Sequence, residues 1–249
     1  RADRDRQQEY RTAVGQQYHF LSDYLQDLSD GLAQRNDTPQ VRFHPQIAAR
    51  SSGKQRQIGD QCLWFSGVGC CYYVLLCDGM GTGPEAARTS QQVSSMLRRL
   101  LSSGYPASYA LRSINSICAL RDRAGAVTVD LAELRLDTGK AVLYKWGASP
   151  SYVIARGEPI KVGTASPPPG LSVSEGRETV EKLSLRRGEV LMLVSDGVKE
   201  SSVEGLQDAS PDAPLGELAV KILEQSSAAA EDDATVALIR LRPAGLPTS

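Results

Sequence analysis

Val74-Leu75-Leu76-Cys77-Asp78-Gly79-Met80-Gly81-Thr82-Gly83-Pro84 is the stretch from which the fold of this 249-residue chain can be worked out. Its first four residues form a continuously apolar run, as in a buried strand. Glycines follow the aspartate, and Pro84 suits the first turn of a helix. The stretch therefore predicts a buried strand, a glycine-rich turn and a helix, with the carboxylate of Asp78 at the strand end.

Two further apolar strands also carry aspartates at an end. Asp196 follows one such run and is itself followed by Gly197, whereas Asp232 and Asp233 precede another. Strand ends that are distant in sequence can converge in the fold, and hard divalent cations prefer several oxygen ligands. Any one of these aspartates could simply mark where water begins. Three such places together, two of them followed by a glycine that lets the backbone bend sharply and approach closely, favour a metal site.

The composition is that of an ordinary globular chain, with 41% hydrophobic and 23% charged residues and a formal net charge of -1. This balance gives no electrostatic reason to expect a nucleic-acid partner. Five cysteines, mostly in apolar runs, favour a reduced, cytoplasmic compartment. A zinc site is disfavoured because the two histidines, His19 and His44, are isolated and no C-x-x-C pair occurs.

No apolar run reaches the roughly 20 residues of a membrane helix. The chain begins with Arg1, and we treat it as a piece of a longer protein. A membrane-anchored region outside this sequence therefore stays an open alternative.

Periodicity and turn signals predict a mixed α and β chain. Strands are expected at 61–65, 71–77, 126–136, 141–146, 151–155, 190–194 and 235–241, and helices at 84–102, 106–120 and 215–225. The short turn sequences at 137–140 and 156–159 favour hairpins and antiparallel sheets.

The N-terminal part has a different pattern. Apolar residues in 4–34 recur every three or four positions, which predicts an amphipathic helix. The breaker sequence at 36–39 marks a boundary, so we expect a helical segment at 1–36 and a second domain at 37–249. The apolar stripe could pack on that domain or on a second copy of the chain.

The glycine-rich loop after Asp78 could also be interpreted as a phosphate loop. It lacks both the G-x-G-x-x-G spacing and a G-K-[ST] element. The carboxylate at its head would repel a phosphate unless a cation lay between them. A nucleophilic serine is also disfavoured, because the sequence at 147–151 is not G-x-S-x-G.

Taken together, the motifs resemble those of the metal-dependent PPM (protein phosphatase 2C-like) serine/threonine phosphatases, and most closely the bacterial stage II sporulation protein E type. The similarity spans about residues 59–241. It is carried by Asp78–Gly83, 126–130, Trp146–Ser151, Ser195–Val198 and Asp232–Val236. The resemblance implies a four-layer α-β-β-α sandwich with two mainly antiparallel sheets, preceded by a regulatory helix.

The resemblance also implies a pair of manganese or magnesium ions as cofactors. It places the bridging carboxylate on Asp78 and a ligating backbone carbonyl on Gly79. Asp196 and Asp232 would complete one metal, and Asp60 would contact the second directly or through water. Catalysis would then rest on Asp78, Asp196 and Asp232, because they hold the ions that activate the attacking water.

Three roles stay open within this resemblance. Met80 stands where the eukaryotic enzymes have a histidine, so no histidine acid is expected. Arg50, Lys54 and Arg56 are alternative phosphate-binding residues or solvated surface charges. Asp130 could serve a third metal or form a structural hydrogen bond.

The implied activity is hydrolysis of phosphoserine or phosphothreonine, with a phosphorylated anti-anti-sigma factor in sporulation control as the expected substrate. The N-terminal helix would act as a control element, with self-association as an alternative role. Two other classes stay open: a catalytically silent or gated regulatory module, and a metal-stabilised scaffold of the same fold.

Overall fold

Two five-stranded antiparallel sheets lie at the centre of the computed structural model. It describes residues 39–53, 58–81, 83–120, 127–163, 166–169, 178–204, 206, 213–227 and 232–245. Nearer the N-terminus it describes six pairs of adjacent residues, 7–8, 11–12, 14–15, 18–19, 21–22 and 25–26. The strands are β1 (Phe43–Ser52), β2 (Gln61–Ser66), β3 (Cys71–Gly79), β4 (Val127–Arg135), β5 (Lys140–Trp146), β6 (Ser151–Ala155), β7 (Glu158–Val162), β8 (Thr179–Ser184), β9 (Val190–Val194) and β10 (Ala234–Pro243). The helices are α1 (Pro84–Ser102), α2 (Ala107–Leu120), α3 (Glu200–Glu204) and α4 (Leu215–Ser227).

Strand order separates the chain into a first sheet, β1-β10-β9-β6-β7, and a second sheet, β2-β3-β4-β5-β8. Alternate side chains of each strand point to opposite faces, so each sheet has an apolar inner and an apolar outer face. The inner faces meet in a core that contains Leu76, Leu143 and Ile239. The outer face of the first sheet packs on α3 and α4, and that of the second sheet packs on α1 and α2. The result is a four-layer α-β-β-α sandwich, as the resemblance implied.

Three of the four edge strands of the described sheets were not predicted from sequence patterns, whereas the fourth, β2, was. The interior strands, α1, α2 and α4 occur where they were expected, with small differences at their ends. By contrast, β1, β7 and β8 each lie at the edge of a sheet. Pro45 lies within β1 and Pro159 within β7, and an edge strand tolerates proline because one side of its backbone needs no partner.

The N-terminal segment is described only in part. The six residue pairs have helical backbone conformations, and the side chains of Tyr18, Leu21 and Leu25 are exposed. The regulatory helix and the boundary at residue 36 stay predictions. Within the described part of the chain, no helix combines the length and apolar character needed to cross a membrane.

Strand direction brings the aspartate-bearing turns to one edge of the sandwich. In the second sheet, β3 ends at Asp78 and Gly79, next to the start of β4 and the turn before β2. In the first sheet, the end of β9 pairs with the beginning of β10. Both sheets therefore present their acidic turns in the same region.

Candidate active site

Four aspartates from the two sheets interact electrostatically at this edge. The carboxyl groups of Asp60 and Asp78 approach at hydrogen-bonding range, as do those of Asp78 and Asp196. The charge of Asp232 acts on both Asp78 and Asp196. Exposure increases outward across the group: Asp60 is buried, Asp78 and Asp232 are half-buried, and Asp196 is exposed. The cluster therefore opens to solvent on its Asp196 side.

Burial and mutual repulsion raise the pKa values in this cluster. The pKa of Asp78 rises to about 8, mainly through burial and then through the charges of Asp60 and Asp196. Burial also raises the pKa of Asp60, partly offset by the hydroxyls of Thr235 and Ser195, and it raises the pKa of Asp196. Raised pKa values of this kind follow from several buried carboxyls lying close together, and a bound cation would offset their mutual repulsion.

The donor set fits divalent cations that prefer oxygen ligands. The main groups that shift these pKa values are carboxyls, hydroxyls and backbone amides, with no lysine or arginine among them. Within the described residues, Oδ2 of the buried Asp60 lacks a hydrogen-bond partner, so one oxygen is available to a ligand. Clustered carboxylates without an internal cation suit Mn²⁺ or Mg²⁺.

The individual ligand assignments stay predictions. Among the residues that the structure describes, no three acidic, histidine or cysteine side chains stand in the arrangement of a formed metal site. The aspartates expected from sequence are brought together, but their separations are not those of a completed coordination shell.

Gly79 and Gly197 both lie where neighbouring backbone packs closely. Neither residue adopts a positive φ. A Cβ atom on Gly79 would lie 2.4 Å from the carbonyl oxygen of Ala86, and one on Gly197 would lie 2.2 Å from that of Asp233. The expectation that these glycines allow close approach agrees with the structure at both positions, and Gly197 also lies in the tight turn in which the N–H of Val198 donates to the carbonyl of Ser195 at 3.1 Å.

The adjacent residues Asp232 and Asp233 have different surroundings. Asp232 is half-buried, and its Oδ1 accepts a hydrogen bond of 2.8 Å from the backbone N–H of Asp233. Asp233 is buried, and its Oδ2 accepts a hydrogen bond of 2.7 Å from the backbone N–H of Gly59. Asp232 thus faces the aspartate cluster, and Asp233 faces the turn that carries Asp60.

Asp130 belongs to a buried polar group between the sheets. Its Oδ2 lies 2.5 Å from Nζ of Lys145 and accepts a hydrogen bond of 2.7 Å from Oγ of Ser151. Lys145 also donates to Ser151 at 2.8 Å. Since Ser151 lies in β6 of the first sheet and the other two lie in the second, these contacts link the sheets. This geometry favours the structural alternative for Asp130.

The candidate phosphate-binding residues are only partly described. Arg50 donates to the carbonyl of Ala49 and lies beside Gly216 of α4, on the outer face of the first sheet. Lys54 and Arg56 lie outside the described residues. Met80, which follows the Asp78-Gly79 turn, is 57% exposed.

Sequence reasoning missed the polar residues around the aspartates. Ser195 and Thr235 lie beside Asp60, and Ser90 of α1 donates to the carbonyl of Gly59. The first two belong to the S-D-G and D-D-A-T motifs, so their position beside the aspartates was a usable signal. Ser90 gave no comparable signal, because it occupies an ordinary buried position of an amphipathic helix.

Sequence comparison places the chain among known proteins. The family model of stage II sporulation protein E (SpoIIE) matches residues 69–242. Stage II sporulation protein E of Bacillus subtilis (strain 168) is 28% identical over 184 residues, which cover 68% of this chain and 22% of that protein. The chain thus spans about a fifth of that relative's length.

Solved structures show the same fold. The PP2C phosphatase domain with a fragment of the regulatory domain of SpoIIE from Bacillus subtilis superposes with a TM-score of 0.74 at 24% identity, over 83% of this chain and 64% of that one. RsbX in complex with magnesium superposes with a TM-score of 0.65 at 15% identity, over 80% and 96% respectively. The chain belongs to the stage II sporulation protein E (SpoIIE) family and has the PP2C phosphatase fold.

Proposed function

We propose that this chain is a metal-dependent protein serine/threonine phosphatase that hydrolyses phosphoserine or phosphothreonine. One observation carries the proposal: carboxyls from both sheets converge at one edge of a PP2C fold, where burial and their own charges raise the pKa of Asp78 to about 8. Such a cluster is stabilised by bound cations, and membership of the SpoIIE family supports this chemistry.

The residues have separate roles in this proposal. Asp78, whose carboxyl interacts with those of both Asp60 and Asp196, would be the bridging ligand, together with the backbone carbonyl of Gly79. Asp196 and Asp232 would complete the coordination of one metal ion, and Asp60 would contact the second. When bound, two Mn²⁺ or Mg²⁺ ions supply an activated water and neutralise charge on the phosphoryl oxygens. The exposed Asp196 side of the cluster admits the phosphorylated residue.

The proposed substrate is a phosphorylated anti-anti-sigma factor that acts in sporulation control. Membership of the stage II sporulation protein E family supports a substrate of this class. We also propose that the chain works in the cytoplasm, as one part of a longer protein with a membrane-anchored region elsewhere.

Phosphate release from a phosphoserine protein and from p-nitrophenyl phosphate tests the proposed activity, in Mn²⁺ and in EDTA. We expect turnover in Mn²⁺ and its loss in Asp78→Asn, because the amide removes a bridging charge. Asp137→Asn serves as control, since Asp137 pairs with Arg135 in the β4–β5 turn and takes no part in the cluster. Full activity in Asp78→Asn would contradict the assignment.

A gated or catalytically silent module of the same fold is the alternative function. Calorimetric binding of Mn²⁺ without phosphate release from either substrate would favour it. In a gated enzyme the acidic cluster is present, but a partner must rearrange it before phosphate is released.

Residues 1–36 are proposed as the control element. The exposed Tyr18, Leu21 and Leu25 form an apolar stripe that can bind a second copy of the chain. We expect deletion of residues 1–36 to change the oligomeric state, measured by light scattering, or the rate of phosphate release. If the truncated chain has the same number of subunits and releases phosphate at the same rate as the full chain, the segment is only an extension.

A further inference from the structure

Asp233 links the two turns that carry Asp196 and Asp60. Its backbone carbonyl lies against the first turn: Oγ of Ser195 donates to it at 3.5 Å, and a Cβ on Gly197 would lie 2.2 Å from its oxygen. Its side chain reaches the second turn, where Oδ2 accepts the N–H of Gly59 at 2.7 Å. A single buried residue therefore connects an acidic turn of the first sheet with one of the second.

Gly59 is held on its other side by α1. Oγ of Ser90 donates to the carbonyl oxygen of Gly59, so both polar groups of this peptide segment have partners. A Cβ on Gly59 would lie 3.3 Å from Cβ of Ala86 and 3.4 Å from the carbonyl oxygen of Gly79. The backbone that precedes Asp60 is thus fixed between Asp233 and α1.

The surroundings of Asp233 differ from those of a metal ligand. Oδ2 faces the Gly59 N–H, and a Cβ on Gly53 would lie 2.3 Å from Oδ1, so both oxygens lie against backbone. Its charge acts on Asp60, whereas Asp60, Asp196 and Asp232 are the main carboxyls that act on Asp78. Asp233 is enclosed behind the cluster rather than pointing into it.

We propose that Asp233 is a positioning residue that holds Asp60 in place for the second metal ion by accepting the Gly59 N–H, and that it does not bind metal itself. This inference rests on the proposed metal site and deepens it. Partners that orient a metal ligand commonly change metal affinity by about 10–100-fold when they are removed.

Asp233→Asn and Asp233→Ala separate positioning from ligation. The carboxamide oxygen of asparagine still accepts the Gly59 N–H, whereas alanine leaves that donor without a partner. We expect Mn²⁺ titration calorimetry to show one site weakened by about 10–100-fold in Asp233→Ala and an affinity within about threefold of wild type in Asp233→Asn. Equal weakening in both variants would identify a ligand and overturn the inference, as would unchanged binding in both.

Gly59 is held between Asp233 and Ser90, and we call this pair of hydrogen bonds the Gly59 clamp. Ser90→Ala tests the clamp from α1, and it still tests the positioning role if Asp233→Ala does not fold. It removes the donor to the Gly59 carbonyl and leaves all carboxylates in place. We expect weaker Mn²⁺ binding at the same site, with thermal unfolding in EDTA as a check on folding. Wild-type binding in a folded Ser90→Ala protein would overturn the clamp.

The two proposals fail in different ways. Wild-type protein that binds no Mn²⁺, or binds it without releasing phosphate, contradicts the metal phosphatase. Wild-type protein that binds Mn²⁺ while the Asp233 and Ser90 variants bind it equally well contradicts only the positioning role.

Discussion

At the scale of single residues, the space around Gly79 limits what the site tolerates. In Gly79→Ala the new Cβ would lie 2.4 Å from the carbonyl oxygen and 2.8 Å from the carbonyl carbon of Ala86. Backbone at the start of α1 would have to move, and the end of β3 with it. We expect a loss of about 1–3 kcal/mol in unfolding free energy, measured in urea, together with weaker Mn²⁺ binding.

Gly69→Ala is the matched control for that substitution. Gly69 lies in the β2–β3 turn, at the other end of β3, and no atom lies within 4 Å of its added Cβ. Its φ of 69° gives alanine a conformational cost but no collision. Mn²⁺ binding should be unchanged in this variant, and equal loss of binding in both would show that close packing at Gly79 is not the cause.

The site residues found from sequence were those whose own motif carried the signal. Asp78 and Asp196 end apolar strands and precede glycine, and Asp232 opens another strand. Asp233 is different, because its role depends on a backbone N–H 174 positions away. Every residue except proline has a backbone N–H, so the type of the partner residue gives no sign of this contact in the sequence.

At the scale of strands and helices, sequence succeeded where both faces of a strand are covered. Val190 to Val194 are all buried, and the corresponding apolar run was predicted with the observed ends. In β8 half-buried and exposed positions alternate and no residue is buried, and the strand carries Glu181 and Lys182. An edge strand of this kind has too little apolar surface to stand out from a loop.

Lys145 occupies a position of β5 whose side chain points to the inner core, as the alternation of the strand indicates. Ala141, Leu143 and Lys145 alternate toward the inner core, so a lysine occupies a core position of β5. Asp130 lies directly opposite it in β4. Two opposite charges in the same core-facing phase of paired strands predict an ion pair, which is what the structure contains.

We expect Lys145→Met to destabilise the protein by about 3–5 kcal/mol, because it leaves the buried Asp130 without its cation. Asp130→Leu combined with Lys145→Met should recover much of this loss, since the unpaired charge is then removed as well. Urea unfolding measures both variants. Lys161→Met is the control: its exposed pair with Glu200 should contribute less than about 1 kcal/mol. Similar losses at Lys145 and Lys161 would contradict a special cost of the buried pair.

At the scale of the whole molecule, the site exists only when the sandwich is closed. Asp78 lies in β3 and Asp60 directly precedes β2 of the second sheet, whereas Asp196 and Asp232 flank strands of the first. A ligand that binds only the folded state stabilises it by about 2.7 kcal/mol at a concentration of 100 times Kd. Metal binding and sheet-on-sheet packing are therefore linked. The buried contacts among Asp130, Lys145 and Ser151 also hold the two sheets together.

The same linkage fixes how stability depends on pH in EDTA. Asp60, Asp78 and Asp196 all have pKa values raised above the ordinary 3.8 in the folded state, and that of Asp78 reaches about 8. Between about pH 4 and pH 8 the folded chain holds more protons than the unfolded chain, so the unfolding free energy decreases as pH rises. The stabilising effect of protonation is complete below about pH 4 and lost as pH passes about 8.

Urea unfolding at intervals from pH 5 to pH 9, in EDTA, measures this dependence. Asp78→Asn should flatten the upper part of the curve, because the group that titrates at about 8 is gone. Asp137→Asn should leave the curve unchanged over this range, since pairing with Arg135 lowers the pKa of Asp137 and it stays ionised throughout. Wild-type stability that increases from pH 5 to pH 8 would show that the carboxyls do not crowd one another. The convergence of the two sheets on one acidic site would then lose its physical basis.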